Sequence, residues 1–196
     1  FDKDLKDFYI DSLNLKKDIE DKYKNLNLLD KKKNFFFTDK SLENFFFIDI
    51  ILGLFPNAKF IHCKRNKIDN ILAIYQNFLT KMTWPHSLKD IIFYFDNYLK
   101  VMNYYDGKFK DKIFSIELEK FTSDSKNISQ KMFEFCKLEW TEKSLEYHKR
   151  KDLFSTTASN VQIREKIYKY KNAKYSVYKK YIKEFEPKFS WLKKDL

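Results

Sequence analysis

Only two glycines, Gly53 and Gly107, occur in 196 residues. A phosphate-cradling loop needs several glycines close together, so neither a Walker-type loop nor a dinucleotide-binding fingerprint exists within this chain. Prolines number three, also far below ordinary usage. Of the two cysteines, Cys63 and Cys136 lie far apart with no ligand-spaced neighbours. That excludes a zinc cluster and a disulfide framework; two buried free thiols are expected, and no metal. No apolar run approaches the roughly 20 residues needed to span a bilayer. The chain starts at Phe1 with neither Met nor a secretory n-region. It therefore reads as a fragment or processed product, and the expected location is the cytoplasm.

What is abundant is apolar and basic. The hydrophobic share of 43%, with 19% aromatics, is ample for one core, so residues 1–196 are expected to form a single domain. The 39 Lys and Arg against 28 Asp and Glu leave a net charge of +11. Such a charge invites an anionic partner: nucleic acid, an acidic peptide, a nucleotide phosphate or a membrane surface. It does not choose among them, and lysines scattered along the whole chain also suit solvated helix faces.

Periodicity supplies the order of elements. Leu5, Phe8, Tyr9, Leu13, Leu15, Ile19 and Tyr23 are spaced for an amphipathic helix over 1–25. The short aromatic run Asn34 to Thr38 predicts a strand, repeated at Lys59 to Cys63 after the Pro56-Asn57 turn, with a third at Ile113 to Ile116. Between the first two strands, Leu42 to Phe55 is too apolar for a solvated helix; Ser41 is its expected N-cap. Ile68 to Leu79 and Leu88 to Met102 carry further helical stripes, with Gly107 expected in the turn beyond. Helices are also expected from Asp124 or Ser125 to Phe135, from Glu142 to His148, and from Ala173 to Phe185, the last ending before Pro187. Strands alternating with helices imply an α/β fold of three layers, a parallel sheet with helices on both faces.

Ligands of open α/β sheets bind at the carboxyl edge. The first strand delivers Asp39 and Lys40 there, the second Lys64, Arg65 and Asn66. Arg65, at a strand end before a helix amino terminus, suits a phosphate: its planar fork gives two charge-assisted bonds and the helix dipole adds to the field. An ordinary surface arginine and a solvated Lys40 are the alternatives. His62, inside a strand, reads as a satisfied core histidine, and His86 and His148 stand alone. Tyr168, Tyr170, Tyr175, Tyr178 and Tyr181 could stack on bases with their interleaved lysines, or pack along a helix face.

The order Asp39-Lys40, Asn44-Phe45, Phe55-Pro56-Asn57-Ala58-Lys59, Ile61-His62-Cys63, Arg65-Asn66, Asp69 and Tyr75-Gln76-Asn77-Phe78 resembles bacterial sulfotransferases related to the tyrosylprotein sulfotransferases. The likeness continues through Ile116 to Glu119, Phe135 to Trp140 and Thr157 to Arg164, ending at Lys174-Tyr175. It implies a helix-rich, P-loop-NTPase-like sulfotransferase fold lacking its first strand. The phosphosulfate-binding turn and the general base would lie upstream of Phe1, so no base is assigned. The co-substrate implied is 3′-phosphoadenosine 5′-phosphosulfate, without a metal. Arg65 would bind its 3′-phosphate and Lys40 would sit beside the bridging oxygen of the breaking S–O bond. Ser159, Asn160, Gln162 and Arg164 match a loop that folds over the nucleotide, and Lys174 a basic residue near the phosphate. The residues 80–87 stand where the family meets its acceptor. The sequence departs from the pattern at Ala73, where the family has Ser, and at Leu118, where several relatives have Tyr.

The resulting expectation is transfer of a sulfuryl group to a hydroxyl acceptor, a protein tyrosine in an acidic peptide or a sugar. Its rivals are a basic nucleic-acid-binding module and a non-catalytic scaffold on the same fold. On the first reading the partners are the nucleotide sulfate donor and the acceptor, with no specific nucleic acid and no membrane span.

Overall fold

The computed structural model describes residues 2–26, 38–77, 79, 82–150, 162–170 and 175–194. The chain divides into two compact units, Phe1–Ala58 and Lys59–Leu196. In the first, helix α1 (Asp2–Asn25) ends with Lys22 and Lys24 in its last turn, where cations favour the negative end of the dipole. A 3-10 turn (Asn44–Phe47) leads into α2 (Ile48–Leu54), and the Lys16 ammonium lies 5.5 Å from the Phe55 ring centroid. Ile48 and Leu54 are buried, whereas Leu42, Phe46, Phe47 and Ile50 are exposed.

The helix expected from Ser41 begins three residues later. The turn opens after Glu43, which makes no side-chain cap bond, and the Ser41 hydroxyl donates to Asp39 Oδ1 at 2.6 Å. Of the strand expected over Asn34 to Thr38, residues 34–37 lie outside the described residues, and Thr38 is not in a strand.

The second unit holds the sheet. Strands β1 (Phe60–Lys64) and β2 (Ile113–Glu117) run parallel, paired from Phe60↔Ile113 to Lys64↔Glu117. Parallel neighbours need a long crossover, and α3 (Lys67–Asn77) and α4 (Leu88–Lys108) supply it. Ser87 caps α4, accepting from the Asp90 N–H at 3.1 Å. Most of each helical stripe read from sequence is buried, Ile68, Ile71 and Leu72 on α3 packing with Ile91, Ile92 and Phe95 on α4, while Tyr75 of the α3 stripe is exposed and Phe78 lies outside the described residues. Fully burying each such aliphatic chain contributes about 1.5–3 kcal/mol. Gly107, expected beyond α4, lies within its last turn; one glycine costs a helix only about 1 kcal/mol, less than burial of the α4 stripe returns.

After β2 comes α5 (Leu118–Ser123), too short to show a period, and then α6 (Ser125–Phe135). The α6 carboxyl end closes with Leu138 N–H donating to Phe133 O and Lys137 N–H to Glu134 O, both 2.9 Å, which puts Lys137 in the left-handed region at φ 57°. A 3-10 stretch (Glu142–Lys149) follows where a short helix was expected. Near the carboxyl end, residues 173–174 lie outside the described residues. The rest of the expected helix is a chain of short turns: 3-10 at Ser176–Tyr178, α7 (Lys179–Ile182), then 3-10 at Lys183–Lys188, which runs through Pro187 rather than stopping before it. Proline fits there because its fixed φ is helical, and the loss of one N–H is small in a single tight turn. Ile182, Phe189 and Leu192 from this end complete the α3–α4 core.

Cys63 is exposed and Cys136 half-buried, against the expectation of two buried thiols. Among the described residues each strand has a neighbour on one side only, so a small side chain near a strand end lacks lateral cover. Among the described residues no helix is long and apolar enough to cross a membrane. The fold is helix-rich α/β with a small parallel sheet.

Candidate functional site

Because β1 and β2 are parallel, their carboxyl ends share one edge, and Lys64 stands opposite Glu117 there. The chain leaves β1 through Arg65 and Asn66 and enters α3 at Lys67. Asn66 makes this junction rigid. Its side-chain oxygen accepts from the Asp69 N–H at 3.0 Å, capping α3, and its own N–H donates to Glu119 Oε1 at 2.7 Å. The ends of β1 and α5 are thereby tied together.

Arg65 is half-buried at this junction. Its Nη2 donates to the Tyr170 hydroxyl at 2.9 Å, and the guanidinium carbon lies 5.3 Å from that ring's centroid. The Tyr170 hydroxyl in turn donates to Oδ2 of Asp69, which is 3% exposed. The Tyr170 backbone N–H donates to Thr122 Oγ1 at 3.0 Å, and Thr122 donates to Glu119 O at 3.2 Å. Burial pushes the Tyr170 phenol up to about 12, the bond to Asp69 acts in the same direction, and Arg65 opposes both. It is a neutral donor at physiological pH. Arg65 Nε is buried and has no hydrogen-bond partner among the described residues, a costly state unless an acceptor arrives.

Ala73, where the family pattern has Ser, is 8% exposed and sits in the α3–α4 core. Lys40 belongs to the first unit and is solvent-exposed. Its neighbour Asp39 accepts from Ser41 and from the Tyr23 hydroxyl, each at 2.6 Å, and these bonds hold its carboxyl below the usual range while pushing Tyr23 up to about 12. Arg164 is exposed at the end of a 3-10 turn (Gln162–Arg164), where its Nη1 donates to Arg150 O at 2.6 Å. The same segment is fastened by the Tyr147 hydroxyl donating to Glu165 O at 3.0 Å. The Gln162 side chain, and all of Ser159, Asn160 and Lys174, lie outside the described residues. In the loop before α4, Trp84 stacks on Tyr94 at 3.7 Å with the rings 2° from parallel, and Pro85 is fully buried. Residues 80–81 of that loop are outside the described residues.

The sequence leaves Tyr170 between base stacking and helix-face packing and gives Glu119 and Thr122 no part in a site. Tyr170 is 105 residues from Arg65 and 101 from Asp69, so no local pattern could join them. Of the other tyrosines in that group, Tyr175 is buried in the core, while Tyr168, Tyr178 and Tyr181 are exposed rather than packed. His62 has the partner its reading expects, Nε2 lying 2.5 Å from the Tyr98 hydroxyl, but it is half-buried and stands outside the core.

Two comparisons bear on this edge. The chain is 34% identical over 148 residues, 74% of its length, to an uncharacterized protein of Aquifex aeolicus (strain VF5), and it spans 19% of that curated relative's length. Residues 9–142 match the model of the Sulfotransferase family. That match takes in β1, the Arg65–Asn66 junction, the capped start of α3 and β2, and on it the chain belongs to the sulfotransferase family.

Proposed function

We propose that residues 1–196 belong to a single sulfotransferase domain. It moves a sulfuryl group from 3′-phosphoadenosine 5′-phosphosulfate to a hydroxyl acceptor, as the bacterial relatives of the tyrosylprotein sulfotransferases do. The observation that carries the reading is Arg65: a guanidinium fixed at a strand–helix junction, with a buried Nε that lacks an acceptor among the described residues. A phosphate oxygen would satisfy that N–H, and the amino terminus of α3 favours the same charge. The residues present therefore fit the nucleotide's 3′-phosphate.

The donor brings the activated sulfuryl group; the chain's residues bind and stabilise. Arg65 reads the extra phosphate. Lys40 offers a compact cation where negative charge grows on the bridging oxygen. Gln162 and Arg164, with Ser159, Asn160 and Lys174, are further proposed ligands of the nucleotide. The net charge of +11 draws an acidic acceptor, with a tyrosine in an acidic peptide as the favoured one.

The test is calorimetric binding of 3′-phosphoadenosine 5′-phosphate and of adenosine 5′-phosphate to the full-length protein. Wild type should prefer the first, and Arg65→Ala should erase about 10–100-fold of that preference, as loss of hydrogen bonds to a charged group does. A preference unchanged in the variant would make Arg65 a surface charge and end the reading.

A further inference from the structure

Arg65 and Asp69 stand four residues apart across the capped start of α3, one a guanidinium and the other a carboxylate 3% exposed. Such a pair ordinarily closes directly, with the carboxylate taking the arginine's fork. Here it does not. The Tyr170 hydroxyl lies between them, accepting from Arg65 Nη2 at 2.9 Å and donating to Asp69 Oδ2. One hydroxyl has a donor and acceptor sites, so it can serve both neighbours at once. We propose that Tyr170 is a positioning residue, a neutral spacer that keeps Asp69 from neutralising Arg65 and so leaves the arginine open to the nucleotide's 3′-phosphate. This rests on the reading of Arg65 as the phosphate ligand.

The rest of the geometry is what a spacer needs. Tyr170 is held from behind, its backbone N–H on Thr122 Oγ1 at 3.0 Å, with Thr122 bonded to Glu119 O and Glu119 Oε1 accepting from Asn66 N–H. The tyrosine is thus fixed to the same junction that carries Arg65. Its ring centroid lies 5.3 Å from the guanidinium Cζ, and its hydroxyl takes the Nη2 donor. Nε is left without an acceptor among the described residues. Burial and the Asp69 bond keep the phenol protonated, so no second negative charge competes with the ligand.

Removing only the hydroxyl, in Tyr170→Phe, leaves Asp69 buried without this donor and Arg65 without this acceptor. The direct pair should then form and occupy the fork. Neutralising the carboxylate removes the competitor, so Asp69→Asn in the Tyr170→Phe background should release the arginine again. A merely structural tyrosine would not be rescued by a second deletion.

The measurement is the preference for 3′-phosphoadenosine 5′-phosphate over adenosine 5′-phosphate, by calorimetry on the full-length protein, with thermal melts to confirm folding. Tyr170→Phe should lower it about 10-fold or more, and the double variant should return to within about threefold of wild type. A Tyr170→Phe preference within about twofold of wild type, or a double variant as poor as the single, overturns the spacer. Should Tyr170→Phe fail to fold, Asp69→Asn alone decides: a preference kept or raised supports the proposal, and a loss overturns it. Arg65→Ala separates the two levels. If that variant keeps the preference, the phosphate reading itself is wrong; if it loses the preference while Tyr170→Phe does not, only the spacer falls.

Discussion

Acid should loosen the second unit through one residue, His62. Its ring sits in the middle of β1 with Nε2 2.5 Å from the Tyr98 hydroxyl and Nδ1 3.4 Å from Ser115 Oγ. Burial disfavours the imidazolium, Lys64 adds repulsion, and Asp106 opposes both, so its pKa is pushed down to about 4. An unfolded histidine titrates near about 6.5. Above that pH neither state binds the proton and the neutral ring's fit is kept. As pH falls from there toward 4 only the unfolded chain protonates, so stability drops across that window and levels off below it. The full shift corresponds to about 3 kcal/mol, and partial solvent access to the ring brings this nearer about 2 kcal/mol. Trp84, Trp140 and Trp191 all lie in the second unit, so tryptophan fluorescence in urea reports on it. His62→Gln removes the titration while keeping a polar side chain. Comparing about pH 7 with about pH 4.5, wild type should lose about 2 kcal/mol more than the variant, the carboxylates common to both cancelling. Parallel losses in the two proteins would refute the assignment.

The parts of this molecule readable in advance are those where one local pattern has no competitor. Ile91, Ile92, Phe95 and Met102 mark α4 by spacing alone, and each is buried where that spacing puts it. Ile113 to Ile116 is a strand because its β-branched and aromatic residues have no alternative use. Arg65 was visible as a cation between a strand end and a helix start. The helix start read at Ser41 lies instead at Asn44, where the turn opens without a side-chain cap while Ser41 bonds the carboxylate of Asp39. Pattern reading registers a serine, not which partner its hydroxyl meets. Tyr170 was invisible for a different reason: the chain must fold before it and Arg65 meet, and one tyrosine among several in a basic segment carries no mark of which will do so. Lys137 lies between these cases, since the end of α6 was legible while the absence of a glycine to take the left-handed position gave no warning.

That position invites a substitution. Lys137→Gly relieves the left-handed backbone at φ 57°, worth about 1–2 kcal/mol, less about 0.5–1 kcal/mol for the freer unfolded chain. A net gain of about 0.5–1 kcal/mol in urea midpoint stability should result, with no change in the denaturant slope, and a loss would mean the turn is not as described. The remaining prediction concerns Lys40, exposed beside an Asp39 that is already satisfied by Ser41 and Tyr23. On the proposed reading its ammonium meets charge that develops mainly in the transition state. Lys40→Ala in the full-length protein should therefore lower the catalytic constant by about 10²–10³ while hardly altering affinity for 3′-phosphoadenosine 5′-phosphate. Lys40→Arg should restore it only in part, because a planar head cannot take the place of a compact cation. Steady-state sulfuryl transfer, measured beside equilibrium binding of the product nucleotide, separates the outcomes. Equal losses in both would make Lys40 a binding residue, and no loss in either would leave it a solvated lysine.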